Sequence, residues 1–210
     1  MSLFKPQLGI LPAAQRAVWA RLSFTLDHFV LYGGTALALR LGHRISEDFD
    51  FFSFAPFDPT SFQRSQPLLA NGGTLQLEPN TLSILVSEAD DTVKLSFFGG
   101  RTFRQIQEPD TSADGSADGC CRVASLPDLF ATKLNTVYQR AEAKDYLDIH
   151  AILRSGLKLE QGLEFAQFVY GSNFNAMLPL QALCYFEEPG LKELPTDVKE
   201  SLLMAVRSVR

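Results

Sequence analysis

The sequence predicts an α+β fold: a small mixed β-sheet with flanking helices, followed by a C-terminal helical domain. Three observations carry this. Short strand-like apolar runs cluster between residues 29 and 98, apolar spacing becomes helical from residue 126, and a stretch of mostly Gly, Ser, Asp, Thr and Arg separates the two regimes. The domains are accordingly placed at 1–121 and 122–210, with the joint inside or just after the loop 99–121.

Residues 12–28 read as an amphipathic helix, with Ala17, Ala20, Arg21 and Phe24 spaced around Trp19. Phe29–Tyr32 is a short buried strand that ends at Gly33-Gly34. Residues 35–42 form a helix that Gly42 stops. The run 48–52 is a strand with alternating acid and aromatic positions. Asp58-Pro59 opens a helix, with proline in its first turn. Three strands follow, Thr74–Glu78, Thr81–Ser87 and Thr92–Phe98, turning at Pro79-Asn80 and at Glu88–Asp91. Beyond Leu126-Pro127-Asp128, Leu129, Lys133, Thr136 and Arg140 fall on related faces of one helix, then Asp145, Asp148 and Ile152. Three more helices, separated at Gly171, Pro189 and Pro195, fill the tail.

Composition narrows the function classes. Of the 210 residues 46% are hydrophobic, which supports a packed core. A net charge of −5 gives no electrostatic argument for non-specific nucleic-acid binding. Cys120, Cys121 and Cys184 form neither a C-x-x-C pair nor a Cys/His cluster, so no zinc site is expected and a reducing compartment is. The N-terminus lacks the long apolar core of a signal peptide, and no run approaches the ~20 apolar residues of a membrane span. A cytoplasmic, soluble protein is expected.

The chemistry concentrates between residues 33 and 50. Gly33-Gly34 allows a tight turn and close approach of a phosphate, and the amides of the next helix point at that spot. Thr35 is expected to add a hydroxyl donor. Asp48 and Asp50, two apart on a strand, present both carboxylates on one face. Such a pair needs a cation between its members, and magnesium bridged by triphosphate oxygens meets that need. A D-x-D pair is also what a solvated strand face carries, and a lone Gly-Gly is also a plain turn; it is their combination that points to a site. Arg44 either neutralises the two aspartates or touches the triphosphate. Phe51, Phe52 and Phe54 either pack in the core or wall a base-binding slot. The dinucleotide and P-loop glycine motifs are absent.

The segment LYGGTALALRLGHRISEDFDFFS resembles the signature of the AbiEii/AbiGii-toxin family of nucleotidyltransferases, within the polymerase-beta-like superfamily. SLPDLFATKLNTVYQRAEAKDYLDIHAIL is similar to the family's second block. The resemblance implies a nucleotidyltransferase core and magnesium-dependent transfer of a nucleoside monophosphate from an NTP to a hydroxyl. Some relatives are toxins of toxin–antitoxin pairs and some of those act on tRNA 3′ ends, while others transfer phosphate, so the resemblance offers an RNA (tRNA) acceptor and a cognate antitoxin protein as candidate partners. Carried over by position, Gly33, Gly34 and Thr35 hold the triphosphate, Asp48 and Asp50 hold the metals, and Lys133, Asp145 and Asp148 match the second block.

One position departs from that pattern. The superfamily carries a third carboxylate on a later strand, and here Ser96 stands in its place, sharing a face with Lys94. Ser96 therefore joins the nucleotide-binding set without supplying a base, with Asp90, Asp91 or Glu78 as substitutes, and slow transfer is expected. Lys133, between Phe130 and Leu134 on an uncharged stretch, is read as a catalytic cation reaching across a cleft between the halves to a phosphate. Arg140, Lys144, Asp145 and Asp148 complete the nucleotide-binding set, with Asp145 and Asp148 orienting Lys133 or Arg140, and Lys144 spaced to pair with Asp148. A weakened nucleotide-binding module and a kinase-like phosphotransferase are the competing readings.

Overall fold

The computed structural model describes residues 3–112 and 120–209. The chain forms two compact units, one of Met1–Thr102 with Glu108–Ala124, the other of Phe103–Gln107 with Ser125–Arg210.

The first unit holds an eight-stranded mixed sheet. Its elements in chain order are β1 (Leu3–Phe4), α1 (Ala13–Trp19), β2 (Val30–Tyr32), α2 (Gly33–Leu41), β3 (Phe49–Phe52), α3 (Pro59–Ser65), α4 (Pro67–Ala70), β4 (Gly73–Glu78), β5 (Thr81–Glu88), β6 (Asp91–Phe98), β7 (Asp110–Ser112) and β8 (Arg122–Val123). The strand order is β1-β7-β8-β2-β3-β6-β5-β4. β3 runs antiparallel to β2 and parallel to β6, with Asp50 in register with Tyr32 on one side and Ser96 on the other.

Alternation along these strands sorts the side chains. Phe49, Phe51, Leu95 and Phe97 are fully buried on one face, against Trp19 of α1 and Phe29. Phe51 is therefore core and not a wall of a base slot. Asp50, Phe52, Ser96 and Phe98 point the other way. Gly42 ends α2 in the left-handed conformation at φ 65°, and Asn80 and Ala89 take positive φ in the two hairpin turns. Asp58 caps α3 by accepting from the Thr60 amide at 3.1 Å.

Two expectations for this unit change. The first helix does not reach residue 28. It stops at Trp19, and Thr25 then closes a 3-10 turn by donating its hydroxyl to the Leu22 carbonyl at 2.8 Å, a side-chain bond that competes with helix propagation. The stretch expected as loop contains β7, which pairs with β1 and β8 and makes the sheet larger than anticipated. Arg40 secures that edge, donating to the Ala124 and Val123 carbonyls and pairing with Asp110 at 2.7 Å. The part of that loop at 113–119 lies outside the described residues.

The second unit is helical: α5 (Leu126–Thr136), α6 (Ala143–Arg154), α7 (Leu159–Tyr170), α8 (Met177–Ala182), α9 (Pro189–Lys192) and α10 (Thr196–Ser208). The tail beyond α6 thus holds four α-helices where three were expected. Ser125 caps α5, accepting from the Asp128 amide at 3.2 Å. The Asp128 carboxylate is buried and accepts from the amides of Ile106 at 2.8 Å and Gln107 at 3.1 Å, which fastens 103–107 into this unit. Gly162 of α7 lies flat on the Phe130 ring, letting α5 and α7 approach closely. α5 ends before Arg140. Gln139 caps the Asn135 carbonyl with its own amide at 2.6 Å, so Lys133 and Arg140 do not share a helix. No helix among the described residues is long and apolar enough to cross a membrane.

Candidate active site

In the first unit, the β2–α2 turn brings its glycines against the acidic strand. Gly33 has φ 71°, and a Cβ there would sit 3.0 Å from Asp50 Oδ2. A Cβ on Gly34 would collide with Arg44 Nη2, so the guanidinium lies over the turn. Arg44 also donates to the Ile45 carbonyl at 2.9 Å. Two glycines here therefore provide room for a carboxylate on one side and a guanidinium on the other.

Thr35 does something other than the phosphate contact expected of it. It is buried, and its hydroxyl proton goes to the Asp48 carbonyl while its oxygen lies 2.7 Å from Ser46 Oγ. Thr35 thus pins the 44–48 segment to α2 and sets where Asp48 begins. Ser46 is a working residue that sequence reasoning passed over, and its place between Arg44 and Asp48 was the available signal. Asp48 lies just outside β3 and is exposed; Asp50 is within it and half-buried. Phe52, two residues on, carries Arg101 above it: the guanidinium carbon is 5.1 Å from the Phe52 and Phe98 ring centres alike. Phe54 is exposed.

Ser96 is in parallel register with Asp50, is 1% exposed, and bonds Ser83 of β5 at 3.3 Å. Of the proposed substitutes for a third acid, Asp91 shares a cavity with Asp48, whereas Glu78 lies on β4, two strands from β6. No three His, Cys, Asp or Glu side chains among the described residues gather as a metal cage. The available donor set is the carboxylates of Asp48 and Asp50, hard oxygen ligands at the start of the strand beside the glycine turn. This suits magnesium, which is held through one or two carboxylates plus substrate phosphates and water.

The AbiEii family profile, described as nucleotidyl transferase AbiEii toxin of type IV toxin–antitoxin systems, matches residues 17–206. The chain belongs to this family. The AbiEii chain is also 32% identical over 165 residues to the uncharacterised protein aq_aa25 of Aquifex aeolicus (strain VF5), covering 77% of this chain and 75% of that one. Its fold is similar to that of an H. pylori crystal structure provisionally assigned as a nucleotidyltransferase (TM-score 0.56, 17% identity, 91% of this chain and 90% of that one). It is similar as well to MenT4, a nucleotidyltransferase toxin from Mycobacterium tuberculosis H37Rv (TM-score 0.57, 15% identity, 91% and 90% covered). At these identities the two structures speak to the α+β nucleotidyltransferase fold.

In the helical unit, the remaining predicted residues gather in one place. Lys133 is 5% exposed, and its Nζ lies 2.6 Å from Asp145 Oδ1 and 2.6 Å from Asp148 Oδ2. Both carboxylates are fully buried. Arg140 pairs with Asp145 through Nε at 2.9 Å and Nη2 at 3.2 Å. Arg140 also pairs with Glu142 at 3.4 Å, so with Lys144 three cations and three anions form one connected network. This corrects the picture of a lysine extended toward a phosphate: a buried ammonium needs counter-charge, and Asp145 and Asp148 supply it. The two aspartates do orient Lys133, and Asp145 orients Arg140. Lys144 pairs with Glu142 at 2.9 Å rather than with Asp148, whose carboxylate is turned inward to Lys133. Next to this network Tyr146 is buried, its hydroxyl donates to the Ala182 carbonyl at 3.1 Å, and burial together with the Asp145 charge pushes its pKa up to about 12.

Proposed function

We propose that this AbiEii protein is a magnesium-dependent nucleotidyltransferase that moves an NMP from an NTP onto a hydroxyl of an RNA acceptor, as the toxin of a pair with a cognate antitoxin. The observation that supports the reading is how closely the Asp50 carboxylate approaches Gly33, where an added Cβ would lie 3.0 Å from Asp50 Oδ2. It puts the turn suited to phosphates within touching distance of the carboxylates suited to magnesium.

In this reading Gly33 and Gly34 receive the triphosphate with Arg44 above them, and Thr35 and Ser46 hold the segment that carries Asp48. Asp48 and Asp50 are the residues that would hold magnesium, which would supply neutralisation of the transferring phosphate and of the pyrophosphate leaving group. The acceptor oxygen bonds the α-phosphorus, the bond from that phosphorus to the β-phosphate oxygen breaks, pyrophosphate leaves, and the hydroxyl proton passes to water. Ser96 and its bond to Ser83 support a slow enzyme, since a serine there accepts no proton from the acceptor. Lys133 uses two of its three N–H donors on Asp145 and Asp148. With Arg140 on Asp145, that network ties α5 to α6 within the helical unit.

Labelled nucleotide tests this. Transfer of an α-phosphate label supports nucleotidyl transfer. Transfer of a γ-phosphate label would replace it with phosphotransfer, and binding without transfer of either label would replace it with a binding module.

A further inference from the structure

Within the first unit, α1, the residues just before β3 and the β5–β6 hairpin enclose a cavity of about 320 Å³. Gln15, Glu47, Asp48, Asp91 and Lys94 form its polar wall. Three carboxylates against one ammonium leave two negative charges unmatched. None of the three acids forms an ion pair among the described residues. Asp91 accepts from the Thr92 amide at 2.8 Å, which occupies one oxygen only.

Gln15 separates this wall from a solvated acidic patch. It is 4% exposed, and its Oε1 is buried with no hydrogen-bond partner among the described residues. A buried amide oxygen left unmet is costly, so its retention calls for a donor that a ligand brings.

The complement of these groups is cationic and extended. The excess of acids repels an anion. A single bare metal ion finds no cage, because no three acidic side chains among the described residues gather closely enough to ligate one. Ammonium groups set apart on a chain suit dispersed acids better. Each carries three N–H donors, so one of them can meet Gln15 Oε1, and two balance the two unmatched charges. Pro12 and Leu85 supply apolar surface for the methylenes between them.

We propose that this cavity binds an aliphatic diamine in its doubly protonated form, with one ammonium donating to Gln15 Oε1 and the acids of the wall balancing both charges. Asp48 belongs to that wall, so diamine and magnesium oppose each other there. This second part rests on the reading of Asp48 as a magnesium-holding residue.

The test is calorimetric titration of the full chain with putrescine, without nucleotide, at about 0.15 M salt, where the Debye length of about 8 Å screens distant surface charge. Wild type should bind one putrescine, and butylamine, with the same carbon chain but a single ammonium, at least about tenfold more weakly. Gln15→Leu should weaken putrescine binding about tenfold, as for a lost hydrogen bond to a charged group. Asp91→Asn should weaken it about threefold or more, whereas Asp90→Asn, which removes the same charge one residue outside the cavity wall, should change it less than about twofold. Lys94→Met should tighten binding about threefold, because it removes a like charge. Gln15→Leu alters a buried position, so its thermal melt is recorded, and the opposite signs of Asp91→Asn and Lys94→Met carry the test if that variant does not fold. No saturable binding, an equal loss in Asp90→Asn and Asp91→Asn, or weaker binding in Lys94→Met overturns the proposal. Magnesium chloride should weaken putrescine binding more than sodium chloride of equal ionic strength, and that difference should shrink in Asp48→Ala. A magnesium effect equal to that of sodium, or undiminished in Asp48→Ala, overturns the opposition and leaves the diamine site. Failure of the labelled-nucleotide test overturns the transfer reading and leaves putrescine binding standing.

Discussion

Ser96 stands beside Asp50, one strand over, and its hydroxyl turns to Ser83 at 3.3 Å. A carboxylate at that position would share the Asp50 face. Ser96→Asp is expected to raise the single-turnover rate with α-labelled NTP by at least about tenfold, part of the ~10²–10⁴-fold that general-base assistance supplies. Position 96 is buried, so the variant should melt lower than wild type without magnesium and recover with it, because an uncompensated buried charge is costly. An unchanged rate together with a melt indifferent to magnesium would defeat the assignment.

Asp48→Ala and Asp50→Ala should each remove magnesium-dependent NTP binding while leaving the fold intact, since neither carboxylate is in the core. Titration calorimetry with NTP, with and without magnesium, measures this. Wild-type affinity in both variants would end the metal-holding role.

The two glycines should fail differently. Gly33→Ala forces a side chain into the left-handed region and against Asp50, costing about 1–2 kcal/mol for the backbone alone. Urea unfolding should show it. Gly34→Ala meets only the end of the Arg44 side chain, which can swing away. That variant should keep most of its stability and lose NTP affinity. Equal stability losses in both would contradict the geometry.

Lys133→Met removes the cation between two fully buried carboxylates and should cost about 3–5 kcal/mol. Adding Asp148→Asn should recover part of that loss. A double-mutant cycle by urea unfolding checks this; additive losses would show that the pair does not interact.

Tyr146 links stability to alkaline pH. Its pKa is about 12 in the folded chain against about 10 unfolded, so between those values the unfolded state has released the proton and the folded state has not. Stability is fully present below about pH 10 and falls by roughly 2–3 kcal/mol as pH rises to about 12. Tyr146→Phe should flatten this part of the profile, seen as a smaller gap between urea midpoints at the two ends. An undiminished gap would rule the tyrosine out.

Much of this was legible in the sequence because local chemistry and tertiary context agree there. Gly33-Gly34, Gly42, Asp58-Pro59 and Asn80 each carry a backbone instruction, and the helix stop, the cap and the hairpin turn appear at the last three. The same-face relation of Asp50 and Ser96 followed from strand period. β7 and β8 did not show, because strands of three and two residues have too little alternation to read, and their partners come from distant chain. The Lys133 network was half-visible: the residues were singled out, but spacing along a helix does not reveal burial, and Arg140 reaches Asp145 only because α5 has already ended. Gln15 gave no sign at all, since a glutamine on an amphipathic helix looks like a solvent-facing residue until its amide is found without a partner.

The chain enters the helical unit twice, first for the five residues 103–107 and again from 125. A gene cut at the second crossing would leave those five residues on the wrong fragment, and Asp128 would lose the amides of Ile106 and Gln107 that neutralise its buried oxygens. Neither half can be excised as a clean cassette by a single truncation. Recombination that shuffles catalytic cores and helical tails among relatives would need two coordinated breakpoints rather than one.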